Sequence, residues 1–343
     1  MSNVRSAEKA RVSTCAAADA IASTIIDQYN RLTKRESDSY SQIVLAGIVA
    51  ITNSETLQVL SLGIGNKFHP QGIKSESVPR DSHAEVLARR AFKRIILEEY
   101  IAITQKNEAS DLFEVATNKN IISLRKNIQL VLYVSSAPCG NACIRRWGDS
   151  PKESTRSCSR PLEIFNDYPH PPFQAHSIHE GQAAVSFKGE SGIFSCSDKI
   201  LRWNVLGLQG ARLSAIVERI NLSGIVIGRK FVRKHAQRAF CCRLNWKKVD
   251  KEIRETIHHP SLMCTAVKLD NGVFDTDSEN GAVFSDFSMW WNLRAQNTEI
   301  FSLSPLSRKS FNELHQVARV STVSGMDELK RKLDAEIAKL NIS

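Results

Sequence analysis

The chain has 343 residues, 42% of them hydrophobic and 24% charged, enough to bury one large core or two ordinary ones. No apolar run reaches the length of a membrane span, and the N-terminus lacks the apolar stretch and cleavage site of a secretory signal. A net charge of +10 favours a polyanionic partner, nucleic acid above all, and the eight cysteines are expected as buried thiols, metal ligands or nucleophiles in the cytosol or nucleus.

Residues 8–30 are alanine-rich with helical apolar spacing and predict a helix, so that 1–40 pack as an N-terminal element on a domain spanning 41–343. "SQIVLAGIVAI" and "LQVLSLGIGNKF", joined by Asn53–Thr56, read as two strands with a short turn. "SHAEVLARRAFKRIILEEYI" (82–101) reads as a helix capped by Ser82, with Glu85 completing a capping box and Val86, Ala91, Ile95 and Leu97 on its inner side. "IQLVLYVSS" (128–136) is an apolar strand, and a second helix is expected after Pro138. Residues 149–192, rich in Ser, Pro, His and Gly, form the longest irregular stretch. A helical region follows over 192–220, then the strand "LSGIVIG" (222–228), and the chain ends in an amphipathic helix over 327–340. Strands alternating with helices predict an α/β sheet protein. Basic residues gather in "RRAFKR" (89–94), "RKFVRKHAQR" (229–238), "NWKKVDKEIR" (245–254) and "KRK" (330–332), each of which reads alone as a solvated face.

Chemistry concentrates in two blocks. His83-Ala84-Glu85 is a triplet common by chance, but a strand and then Pro138-Cys139 follow it. This spacing predicts His83 and Cys139 at helix N-termini, at neighbouring strand ends of one sheet, where the helix end favours a thiolate. Catalytic zinc takes three protein ligands and leaves a fourth position for water. Nucleobase deaminases carry Pro-Cys-x-x-Cys, whereas here the position needed is Ala142 and the next cysteine is Cys143. The third ligand is Cys143 or Cys196, and helical spacing does not choose between them.

Three blocks, "DSHAEVLARR", "SSAPCGNACI" and "SCSDKILRWNVLGLQGARLS", are similar to the RNA-editing adenosine deaminases, both the double-stranded-RNA enzymes and the tRNA-specific ones. Fainter similarity carries the resemblance across about residues 40–340. It implies a single A-to-I editase domain with a cytidine-deaminase-like mixed β-sheet and helices on both faces. It also implies zinc held by His83, Cys139 and Cys196, Glu85 as proton shuttle, and Cys143 as a bystander. In that family an inositol hexakisphosphate is buried near the active site. The matching positions here are Arg89, Arg90, Lys199, Arg202 and Trp203, with Lys330 and Lys339 as candidates in the short C-terminal segment. Asp81 and Lys188 match a network that links this ligand to the zinc. One departure is Ala211, followed by Arg212, where the double-stranded-RNA enzymes carry a serine.

His83 lies too near the N-terminus to leave room for a double-stranded-RNA-binding domain, so the expected branch is the tRNA-specific one. That branch deaminates adenosine 37 of eukaryotic alanine tRNA and works without an obligate protein partner or a membrane. The irregular stretch 149–192 and "RKFVRKH" are the candidates for contacting the anticodon stem-loop. The competing readings are a deaminase acting on cytidine or on double-stranded RNA, and a non-catalytic RNA-binding module. The "SCSDK" block argues against cytidine, and Glu85 argues against the non-catalytic module.

Overall fold

A computed structural model describes residues 2–33, 41–68, 81–116, 121–140, 142, 195–242, 258–270, 283–284, 287–294 and 299–302. The elements in chain order begin with α1 (Ser2–Thr33), β1 (Ser41–Gln42), β2 (Leu45–Thr52), β3 (Leu57–Ile64), β4 (Asn66–Phe68), β5 (Asp81–His83) and α2 (Ala84–Gln105). Next come β6 (Phe113–Val115), β7 (Ile122–Leu124), β8 (Ile128–Ser136), α3 (Cys196–Leu206), α4 (Gly210–Leu213), β9 (Gly224–Arg229) and α5 (Arg233–Gln237). A π-helical turn over Arg238–Cys242 precedes β10 (Ser261–Cys264), β11 (Val283–Phe284), β12 (Phe287–Asn292) and β13 (Glu299–Ser302). No described helix is long and apolar enough to cross a membrane.

Seven strands form one mixed sheet in the order β10-β9-β8-β2-β3-β12-β13. β8, β9 and β10 run parallel, while β2, β3, β12 and β13 pair antiparallel with their neighbours. The alternation of the pleat divides the apolar side chains between two layers. Ala46, Ile48 and Ala50 of β2, with Leu132 and Val134 of β8, pack against Ala84, Ala88, Phe92 and Ile95 of α2 and against Ile200 of α3. On the other face Leu45, Val49, Leu62, Tyr133 and Val226 meet Ala18, Ile21, Ala22 and Ile25 of α1. The expected mixed sheet with helices on both faces is therefore present.

α2 lies close on β3 because Gly63 has no side chain: a Cβ there would stand 2.3 Å from the Ala84 carbonyl oxygen and 2.4 Å from the Ala88 nitrogen. The carboxyl ends of β3, β8 and β9 share one edge of the sheet, since Leu45 pairs with Ile64 and donates its N–H to Ser135 Oγ at 3.0 Å, and Ser136 lies opposite Arg229. In open α/β sheets such an edge is where ligands bind.

Two expectations about α2 change. Ser82 does not cap it: Asp81–His83 pairs as a strand with Asn66–Phe68, and His83 occupies the N-cap position with no side-chain cap bond. The first amide of the helix instead donates from Ala84 to the Gly65 carbonyl at 2.8 Å, so a backbone partner replaces the hydroxyl. His83 accordingly comes from a two-stranded ribbon beside the main sheet and not from a strand of it. After Pro138, Cys139 and Gly140 form a turn; the helix expected beyond them, Cys143, the stretch 149–192 and the helix over 327–340 lie outside the described residues.

Candidate metal centre and arginine cluster

His83, Cys139 and Cys196 converge with their ligating atoms all within 4.8 Å of one another. Each comes from a different element, and each is held by bonds that the local sequence supplies. Asp81 Oδ1 accepts from the His83 backbone N–H at 3.1 Å and pairs with His83 Nδ1 at 2.7 Å. This fixes the ring and leaves Nε2 as the ligating nitrogen. The other oxygen of Asp81 accepts from the Lys199 ammonium, giving a chain Lys199–Asp81–His83. Burial alone would push the Asp81 carboxyl up, but the hydrogen bond and charge of His83, with the charge of Lys199, hold it well below the usual carboxylate range.

The two cysteines are joined by the start of α3. The Cys196 N–H donates to Cys139 Sγ at 3.3 Å, and the Ser197 N–H donates to the Cys139 carbonyl at 3.0 Å. Ser197 Oγ accepts from the Ala142 N–H at 3.1 Å and donates to the Pro138 carbonyl at 3.3 Å. Gly140 has φ +93°, and a Cβ there would be 2.3 Å from Ser195 Oγ, so only glycine allows this close join. The serines on either side of Cys196 thus build the pocket. Nothing in their spacing announces that role, although both stand in the "SCSDK" block.

A hydrogen bond from Cys196 lowers the Cys139 thiol, with burial opposing and the His83 charge assisting. The same bond and burial raise Cys196 well above its ordinary value. These two sulfurs and the His83 ring would together hold a divalent cation. One imidazole and two such thiols, with an open position, are the donor set of a catalytic zinc site. Glu85 is 3% exposed at the base of this pocket. Burial raises its carboxyl, with the His83 charge and a Cys196 hydrogen bond opposing. A buried carboxyl raised in this way is a better proton acceptor than a solvated one.

One turn further along α2, charge is arranged differently. The Arg89 guanidinium lies over the Trp203 ring, 5.1 Å from its centroid, and donates from Nε to the Leu208 carbonyl at 2.7 Å. Burial, then the charges of Arg202 and Arg90, push Arg89 down to about 10. Arg90 is also lowered by burial, partly offset by Asp81. Of the residues expected around a polyanion, Arg89, Arg90, Arg202 and Trp203 come together between α2 and α3. Lys199, expected with them, has its ammonium paired with Asp81 beside the metal pocket. Lys188, Lys330 and Lys339 lie outside the described residues.

The chain as a whole carries the same signature as this pocket: residues 61–326 match the adenosine-deaminase (editase) domain, and the chain belongs to that family. It is 28% identical over 290 residues to the double-stranded RNA-specific adenosine deaminase of Mus musculus, covering 79% of this chain and 24% of that protein. It is 30% identical over 237 residues to tRNA-specific adenosine deaminase 1 of Schizosaccharomyces pombe, covering 64% and 60%. The corresponding tRNA-specific protein of Drosophila melanogaster is 28% identical over 221 residues, covering 58% and 52%. The chain therefore spans about a quarter of the double-stranded-RNA relative and rather more than half of the tRNA-specific ones.

Proposed function

We propose that the chain is a zinc-dependent hydrolase that converts adenosine to inosine in RNA, with alanine tRNA at position 37 as its substrate. The observation that carries the reading is the convergence of His83, Cys139 and Cys196 within 4.8 Å, with the buried carboxylate of Glu85 beside them. A zinc ion held by those three side chains supplies Lewis-acid activation of the attacking water. Glu85 takes the proton that this water gives up and delivers it to N1 of the adenine as C6 is attacked, then takes the proton of the new C6 hydroxyl and gives it to the departing amino group, which leaves as ammonia. Asp81 keeps the His83 tautomer fixed throughout, and Lys199 keeps Asp81 ionised. The base must leave its stack to reach a pocket this buried, so a single-stranded loop is the least costly presentation.

The similarity to the tRNA-specific proteins of two organisms supports tRNA. A second reading, double-stranded RNA, is favoured by the longer match to the mouse protein, 79% of this chain. One experiment separates them. Alanine tRNA and a long RNA duplex are incubated with the purified protein and sequenced through cDNA, where inosine reads as G. Conversion at position 37 of the tRNA supports the first reading, and conversion confined to the duplex supports the second. Glu85→Ala should keep its zinc and lose at least about a thousandfold in rate, within the range of general acid–base effects combined with water activation. Inosine formation at the parental rate would overturn the mechanism.

The same reading includes inositol hexakisphosphate between Arg89, Arg90, Arg202 and Trp203. It is supported by the depressed Arg89, on which the strongest influences after burial are other arginines. Arg89 and Arg90 are partly buried and Arg202 is exposed, and several phosphates would supply counter-charge to the partly buried pair.

A further inference from the structure

The chain's positive charge is not spread evenly. Residues 219–249 contain nine lysines and arginines and no Asp or Glu, against a net charge of +10 for the whole protein. Six of these nine lie in the described residues 219–242, five of them from Arg229 onward, where β9 ends beside the metal pocket. β9 runs parallel to β8 and ends level with it, Ser136 opposite Arg229. The Ala137 N–H donates to the Arg229 carbonyl at 2.9 Å, which carries the pairing one residue beyond β8 toward Cys139. Arg229 is therefore one strand across from the pocket, roughly 5 Å in the pairing direction, and three residues short of Cys139 in register.

The chain then turns off the sheet at Lys230, which has φ +57°. The π-helical turn Arg238–Cys242 packs against α3, the element that carries Cys196, while Arg233–Gln237 packs on that turn and on β10. Asn204 Nδ2 on α3 donates to the Phe240 carbonyl at 2.9 Å, while Ala236, Ala239 and Phe240 are buried. That buried side anchors the segment, and Lys230 and Arg233 stay partly accessible. An acid-free segment whose π-helical turn packs on the ligand-bearing helix, at the carboxyl ends of β8 and β9, has the charge and placement for a polyanionic backbone.

We infer that residues 229–241 form a phosphate-binding rail that holds the RNA strand beside the adenosine pocket. The rail meets backbone phosphates and has no base preference, so it contributes affinity and register while the pocket selects the base. The inference rests on the RNA-deaminase reading and adds to it the surface that meets the substrate.

The test uses the full chain carrying Lys230→Asn and Arg233→Gln together. Asparagine tolerates the left-handed backbone at 230, so the double variant removes charge without imposing strain. Lys126→Gln is the control, because Lys126 is exposed just before the amino end of β8, at the opposite edge of the sheet. Binding to an alanine tRNA transcript is measured from low to moderate salt, together with the melting temperature and zinc content of each protein. The double variant should keep its melting temperature and zinc. Its plot of log K against log salt should flatten by about 1.4–1.8, at roughly 0.7–0.9 for each phosphate that is no longer neutralised. Lys126→Gln should keep the parental slope. A double variant with the parental slope overturns the rail. If inosine forms while the slope stays put, only this inference fails; if the slope flattens while no variant or parent makes inosine, the catalytic reading fails and the RNA surface stands.

Discussion

The first two turns of α2 serve two regions that solve opposite problems. Around His83 the polar groups are matched to one another: Asp81 holds the ring, Lys199 holds Asp81, and Ser197 ties the two cysteine segments together. Around Arg89 the strongest influences after burial are like charges, from Arg202 and Arg90. The first region is organised before any ligand arrives, which is what differential binding of a transition state requires. The second sets like charges beside the Trp203 ring, where burial and then Arg202 and Arg90 lower Arg89. Lys199 joins them: its ammonium is fixed by Asp81 on the metal side, while its helix carries Arg202 and Trp203 on the other.

The two regions should respond most differently to loss of a metal ligand. Cys196→Ala leaves an imidazole and one thiol, too few for a catalytic zinc site, and zinc per protein should fall close to zero. Cys143→Ala should retain the parental zinc content, and the reverse pattern would move the third ligand to Cys143. Metal analysis after gel filtration reads both. Arg89→Leu tests the other region, and the phosphate released decides it. If a polyanion fills the cluster, the variant loses the charge-assisted bond to Leu208, about 1.5–3 kcal/mol, and its hold on the ligand, and phosphate released on denaturation falls with the melting temperature. If nothing fills it, the variant loses the bond to Leu208 and the contact with Trp203 alone, and neither protein releases phosphate.

The strands and α2 were legible because their apolar spacing reports a local preference that packing then reinforces: Ile48, Leu60, Leu132 and Ile225 are all fully or almost fully buried where the pattern puts them. His83, Glu85 and Cys139 were legible as residue types at a meaningful spacing. What escaped depends on partners distant in the chain. Ser82 reads as a helix cap until residues 66–68 claim it for a strand. Lys199 is matched with Arg202 to the inositol-phosphate cluster, and only the fold shows Asp81, 118 positions earlier, taking its ammonium. The choice between Cys143 and Cys196 has the same origin, since helical periodicity describes neighbours within a helix and the bond between Cys139 and Cys196 joins segments 57 positions apart.

Ser197 gives the finest test, because it touches no ligand and yet holds the geometry of two. Its hydroxyl accepts from Ala142 and donates to Pro138, so both a lone pair and the proton are used in joining the cysteine turn to α3. Ser197→Ala removes both bonds and leaves the Ala142 N–H buried without that acceptor, a loss of about 1–3 kcal/mol. The cysteines themselves remain, and the Ser197 backbone bond to the Cys139 carbonyl survives the change. Zinc should therefore still bind, with affinity reduced by about 10–100-fold, as when a supporting residue behind a ligand is removed. Competition with a chelator of known affinity measures this directly, and a threonine at the same position should restore most of it through its hydroxyl. A purely structural role for Ser197 predicts a lower melting temperature with unchanged zinc affinity in the folded protein. A role in setting the distance between Cys139 and Cys196 predicts that the affinity falls even well below the melting transition, which is the outcome expected from a hydroxyl bonded to both sides of the join.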